Sequence, residues 1–122
     1  MCGIIGIASN NNCIPTLLSG LHALEYRGYD SSGIASSIHN HLNYQKSVGK
    51  ISNLIDKLNN KELQGNTAIA HTRWATHGKP SLVNAHPFVK ENCALVHNGI
   101  IENYEELIKI HSVNRKNIQS ET

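Results

Sequence analysis

Apolar positions along this chain fall into two rhythms. Behind Met1 and Cys2, residues Gly3 to Ala8 form an isoleucine-rich run with two glycines, the pattern of a buried strand whose backbone is closely approached. Asn10, Asn11 and Asn12 then mark a turn. Ile14, Leu17, Leu18, Leu21 and Leu24 recur at spacings of three and four and predict a helix from Pro15 to Tyr26, with Pro15 at its first position and Gly28 past its end. "GYDSSG" reads as a loop, and "GIASSIH" and "LNYQKS" as short strands joined through Asn40. Behind Gly49, Ile51, Leu54, Ile55 and Leu58 predict a second helix. "NTAIAHT" and "NCALVHN" are the next strand candidates, separated by a polar loop from Arg73 to Pro87. Loops of that length in a compact domain are usually functional. A last helix over Asn103 to Ile110 presents Tyr104, Leu107, Ile108 and Ile110, and the polar "HSVNRKNIQSET" follows. The order of elements predicts an α+β fold built in layers.

Composition narrows the function. At 122 residues, 39% of them hydrophobic, the chain fits one domain or a part of one. Its formal charge of +2 arises from 11 basic and 9 acidic residues with no basic run, so no nucleic-acid partner is expected. The apolar stretch after Cys2 ends by Ser9 without a positive flank, which suits neither a membrane span nor a secretory signal; a cytoplasmic location is expected. Three cysteines without a CxxC suggest neither a disulfide framework nor a zinc ribbon. Eight histidines raise the question of a metal, but His71, His77, His86 and His97 show no ligand spacing, and no metal site is expected.

Four local features carry possible chemistry. Asn98 and Gly99 stand between a strand and a helix, where exposed amides can hold an oxyanion or simply form an Asn-Gly turn. Arg73, where a strand enters the long loop, can clamp a carboxylate or pair with an acid. Trp74, the only tryptophan, is an anchor or a lid. Cys2 is either a small hydrophobe or, once Met1 is removed, a nucleophile carrying its own α-amine. A free thiol titrates near about 8.5 and needs a base. An α-amine with pKa of about 7.7–8.0 is roughly one-seventh neutral at pH 7, whereas a lysine is neutral about once in 2,500 molecules. The α-amine is therefore the better resting base.

Taken together, "CGIIGI", "LEYRGYDSSGIA", "AHTRWATHGKPSLVNAHPF" and "VHNGIIENYEEL" resemble the class II glutamine amidotransferases, and among them the glutaminase domains of the glutamine:fructose-6-phosphate aminotransferases (isomerizing), enzymes of amino sugar biosynthesis. The resemblance implies an N-terminal-nucleophile αββα sandwich, L-glutamine as substrate and no cofactor. It implies that Cys2 forms a γ-glutamyl thioester, that Asn98 and Gly99 hold the oxyanion, and that Arg73, Thr76 and His77 receive the α-carboxylate. It further implies that Arg27 shapes the nucleophile's surroundings and that Trp74 shields the ammonia route. The similar proteins continue "SETDTE" where this sequence has "SET", and the missing aspartate would grip the substrate's α-amino group. The expectation is thus an incomplete domain over residues 1–122 without sugar isomerase domains, hydrolysing glutamine poorly alone and associating with remaining domains or with itself. The alternative is a noncatalytic remnant or partner-binding fragment, since open sheet edges tend to pair.

Overall fold

The computed structural model describes residues 1–59 and 62–121; Thr122, on which "SET" ends, lies outside them. Four strands, β1 (Gly3–Ala8), β2 (Ser31–Ile38), β3 (His41–Val48) and β4 (Thr67–Arg73), form an antiparallel sheet in the order β1-β4-β2-β3. A hairpin of β5 (Phe88–Lys90) and β6 (Cys93–Leu95) forms a second, two-stranded sheet. The helices are α1 (Ile14–Ala23), α2 (Ile51–Asn59) and α3 (Tyr104–Ile110). Among the described residues, no helix is long and apolar enough to cross a membrane.

Register decides what each face of the large sheet carries. Ile5 pairs with Ala70, Ile7 with Ala68, and Ala70 in turn with Ile34, which places these side chains on one face. There they meet Leu17 and Leu21 of α1 and Leu54 and Leu58 of α2 in a single core. Helical and strand periodicities thus point their apolar residues at each other, and burial of this surface is the main favourable term. Leu17 and Leu54 are fully enclosed. Leu17→Ala is expected to cost about 2–5 kcal/mol, the range for truncating a buried leucine, measurable as a lowered midpoint in urea at unchanged m-value.

The helix ends have local causes. Asn12 Oδ1 accepts from the amides of both Ile14 and Gly65, tying the start of α1 to the approach to β4. α1 stops at Ala23, short of the expected Tyr26, and Glu25–Arg27 continue as a single 3-10 turn. That turn lets Glu25 reach the first amide of α2, its Oε1 accepting from Ile51 at 2.9 Å, where a carboxylate also complements the helix dipole. Tyr26 is left exposed.

The opposite face is the one the chain folds back over. Ile4, His71, Gly33 and Lys46 form a row across it, because Ile4 and Gly33 both pair with His71 and Gly33 pairs with Lys46. The segment after β4 folds back over this face. Gly33 permits the approach: a Cβ there would lie 2.2 Å from the His86 carbonyl oxygen. Lys46 Nζ donates to Ala85 O at 2.7 Å and stands over the Phe88 ring.

Two expectations need correction. "GYDSSG" is not wholly loop, since Ser31, Ser32 and Gly33 belong to β2, enclosed between β3 and β4, where small residues leave room for the covering segment. "NCALVHN" yields only the short β6, paired to a strand at Phe88–Lys90 that the sequence pattern had not indicated. α3 forms close to where its pattern predicts, but buries none of its residues.

Candidate active site

Cys2 lies one residue beyond the Gly3–Thr72 pair, beside the point where β4 gives way to Trp74. Its sulfur sits against the main chain of one residue: Sγ donates to Trp74 O at 3.7 Å and accepts from Trp74 N at 3.4 Å. Its carbonyl oxygen is held twice, by Arg27 Nε at 3.0 Å and by Asn98 Nδ2 at 3.2 Å. Backbone and thiol are therefore positioned from three separate parts of the chain, and the residue is neither buried nor fully exposed.

Gly28 makes the Trp74 contact possible. A Cβ at Gly28 would stand 2.5–2.6 Å from the Arg73 carbonyl group and the Trp74 nitrogen, so only glycine lets these segments touch. Thr72 Oγ1 donates to Gly28 O, and Asp30 N donates to Arg73 O at 3.1 Å. The Asp30 carboxylate accepts from Ala75 N and from Ser31 Oγ, bracing the turn after Trp74. The Trp74 ring, 45% exposed, meets Tyr29 edge-on at 5.3 Å. In the sequence Gly28 reads only as a residue past a helix end, and Asp30 only as part of "LEYRGYDSSGIA".

Arg73 is 4% exposed, and its side chain meets main-chain oxygens rather than pairing with a nearby acid. Its guanidinium donates to three main-chain carbonyls of the following loop, those of His77, Gly78 (3.1 Å) and Lys79 (3.4 Å). A buried positive charge so coordinated shapes the loop that carries Thr76 and His77, both exposed. The loop is braced again by Asn84, whose Nδ2 donates to Lys79 O and to Glu121 Oε2 and whose Oδ1 accepts from Glu121 N. Sequence reasoning assigned nothing to Asn84; a buried asparagine has no signal in the chain without its partners.

Asn98 and Gly99 follow β6. Gly99 adopts φ +145°, a backbone region suited to glycine. Asn98 reaches both Cys2 and the buried His71, whose Nε2 lies 2.8 Å from Asn98 Oδ1. His71 stacks on His86 at 4.3 Å between ring centroids. The structure thus joins Cys2, Arg27, Trp74 and Asn98 directly, and links Arg73 to the His77 main chain. Among the described residues, no group of three or more histidines, cysteines or acids is arranged to hold a metal.

Burial lowers both histidines. Desolvation depresses His71, partly offset by its hydrogen bond to Asn98; desolvation, with the neighbouring His71 ring and the Arg73 charge, lowers His86 to about 3. For a base whose folded pKa lies below its unfolded value of about 6.5, the unfolded chain takes up protons first, so stability is complete above that value and falls as pH drops. The thermal midpoint is expected to be level from pH 8 to 7 and to decline between about pH 6.5 and 5, before carboxylates titrate. His86→Gln should flatten that decline; an unchanged slope would contradict it.

Residues 1–116 match the class-II glutamine amidotransferase family. The chain belongs to the class-II glutamine amidotransferases. It is 55% identical over 109 residues to a Chlamydia muridarum protein named glutamine--fructose-6-phosphate aminotransferase [isomerizing], covering 88% of this chain and 18% of that one. A Helicobacter pylori protein of the same name is 57% identical over 110 residues, covering 89% and 18%. The chain therefore spans less than a fifth of the length of these relatives. Among solved structures, a glutamine phosphoribosylpyrophosphate amidotransferase from B. subtilis, complexed with ADP and GMP, superposes with TM-score 0.76 at 27% identity, covering 92% of this chain and 25% of that one. A structure described as the allosteric regulatory enzyme of purine biosynthesis gives 0.78 at the same identity and coverage. For this class-II amidotransferase chain, helices packed on one face of the antiparallel sheet, with strands of a second sheet beyond it, agree with part of an N-terminal-nucleophile sandwich.

Proposed function

We propose that this chain supplies the glutamine-hydrolysing part of a glutamine:fructose-6-phosphate aminotransferase, delivering ammonia for glucosamine-6-phosphate synthesis in the cytoplasm. The observation that carries this reading is the placing of Cys2: a thiol at the head of β1, with its sulfur on the Trp74 peptide and its carbonyl held by Arg27 and Asn98. The two relatives at 55% and 57% identity bear that enzyme's name. Residues 1–122 form part of the glutaminase domain, and no residue here is assigned to the sugar phosphate, which belongs to further domains.

With Met1 removed, the Cys2 α-amine takes the thiol proton as Sγ attacks the carboxamide carbon of L-glutamine. The carbonyl oxygen becomes an oxyanion, facing Asn98 Nδ2 and the Gly99 amide. Asn98 Nδ2 carries two hydrogens and gives one to Cys2 O, which leaves the second for this oxyanion. The carbon–nitrogen bond then breaks, the ammonium proton returns to the leaving nitrogen, and ammonia departs from a γ-glutamyl thioester. Water, deprotonated by the same amine, cleaves the thioester and releases glutamate and the thiol. The Arg73 charge, with Thr76 and His77 of its loop, receives the α-carboxylate, and Trp74 shields the departing ammonia.

Met1 is the simplest test. Intact mass of the isolated protein is expected to show a chain lacking one methionine. A variant forced to retain Met1 should lose glutaminase turnover by at least about tenfold, the low end of what a general base contributes. Equal turnover with Met1 in place would overturn the terminal-amine mechanism.

A further inference from the structure

We propose that His71 is a positioning residue for the oxyanion site, fixing through Nε2–H the orientation of the Asn98 carboxamide so that Nδ2 stays turned to Cys2. This inference rests on the assignment of Asn98 as an oxyanion donor and extends it to a buried ring that does not meet the substrate.

Cys2 O, a carbonyl, can only accept, and the group that meets it from Asn98 is Nδ2 at 3.2 Å. A carboxamide turned by half a rotation would set oxygen against oxygen there. Oδ1 must therefore face His71, and an oxygen facing a ring nitrogen at 2.8 Å needs a proton on that nitrogen. His71 accordingly carries its hydrogen on Nε2. On the neutral ring, Nδ1 is then a bare lone pair, and that atom is buried with no hydrogen-bond partner among the described residues. Protonation at Nδ1 would bury an unanswered N–H, consistent with a ring that stays neutral. The opposite tautomer would present an acceptor to Asn98, favour the turned carboxamide and withdraw Nδ2 from the site.

Positioning also requires that the ring itself cannot move. His71 is 1% exposed in the strand at the centre of the β1-β4-β2 pairing, flanked by Ile4 and Gly33. His86 covers it at 4.3 Å, and Phe88 meets His86 edge-on at 4.5 Å, so a column of three rings runs from β4 to the β5–β6 hairpin. Asn98 lies just beyond that hairpin. The column and the Asn98 hydrogen bond thus connect the large sheet to both sides of the same short segment.

The test has two arms. In the full chain, His71→Phe keeps an aromatic ring but removes the donor, and His71→Gln keeps a donor on a different frame. With Asn98 intact, His71→Phe is expected to lower kcat for glutamine hydrolysis about 10- to 100-fold with KM little changed, below the effect of losing a donor outright, and His71→Gln to recover part of it. On an Asn98→Ala background, His71→Phe should have no further effect. If Asn98→Ala itself leaves kcat unchanged, the oxyanion reading fails; if Asn98→Ala is impaired but His71→Phe is silent, or lowers kcat equally in both backgrounds, only the positioning role of His71 fails. The second arm needs no variant: the ring-nitrogen pattern of His71 in a long-range proton–nitrogen NMR spectrum at pH 7 should be that of the neutral Nε2–H tautomer. The Nδ1–H tautomer would overturn the proposal.

Discussion

In an enzyme whose glutaminase domain is whole, replacing Cys2 by alanine is expected to abolish ammonia release from glutamine, with turnover falling on the order of 10⁴- to 10⁶-fold, the scale seen when a covalent nucleophile is removed. The fold should survive. Cys2 Sγ contributes two long contacts to the Trp74 peptide, whereas the bonds that hold its backbone in place, from Arg27 and Asn98, both end on the carbonyl oxygen that alanine retains. An unchanged thermal midpoint alongside lost turnover would separate chemistry from structure. Cys13, buried at the start of α1, and Cys93, exposed in β6, serve as internal controls, and their replacement should leave turnover within about twofold. Colorimetric or coupled assay of released ammonia reads all three variants.

The second large effect is expected at Gly28. An added methyl would meet main-chain atoms of Arg73 and Trp74 at 2.5–2.6 Å, and main chain cannot swing aside as a side-chain tip can. Gly28→Ala must push the end of β4 away from the 3-10 turn, at a cost of about 3 kcal/mol, the upper part of the range for overpacking. For a chain of this size that lowers the thermal midpoint by roughly 10 °C. The displaced segment carries the Trp74 peptide that meets Cys2 Sγ and the Arg73 side chain that organises the following loop. Turnover should therefore fall together with stability at Gly28, whereas Leu17→Ala, remote in the helical core, should lower stability and leave turnover of the folded fraction intact. Scanning calorimetry with activity measured below the transition distinguishes the two.

What could be read from the chain depended on whether the cause was local. Leu17 and Leu21, Leu54 and Leu58 announce their helices because periodic burial is written in the spacing itself. Ser31 and Ser32 read as loop because serine favours turns; they are strand because β3 and β4 pair with them from both sides, a tertiary fact. The β5–β6 hairpin escaped notice since three-residue strands carry too little alternation to register. The exposed apolar residues of α3 show that a helical pattern predicts a helix without specifying what covers it.

The site divides in the same way. Cys2, Trp74 and Asn98 stand out in the sequence itself and Arg27 through the resemblance, and the structure brings Arg27, Trp74 and Asn98 each into hydrogen-bonding contact with Cys2. Arg73 was nominated too, but its three carbonyl partners lie in an irregular loop that no spacing rule describes. In the sequence His71 is only one of several histidines without ligand spacing. Its importance lies in a contact to Asn98, 27 positions away, which only the folded chain creates.

The central claim is that Cys2, freed of Met1, takes the glutamyl group. Rapid acid quenching of the protein with excess glutamine, followed by proteolysis and mass spectrometry, tests it most directly. An adduct equal in mass to glutamine less ammonia, labile to hydroxylamine, is expected on the peptide that begins at Cys2. An adduct on Cys13 or Cys93, or on a peptide still carrying Met1, would contradict it.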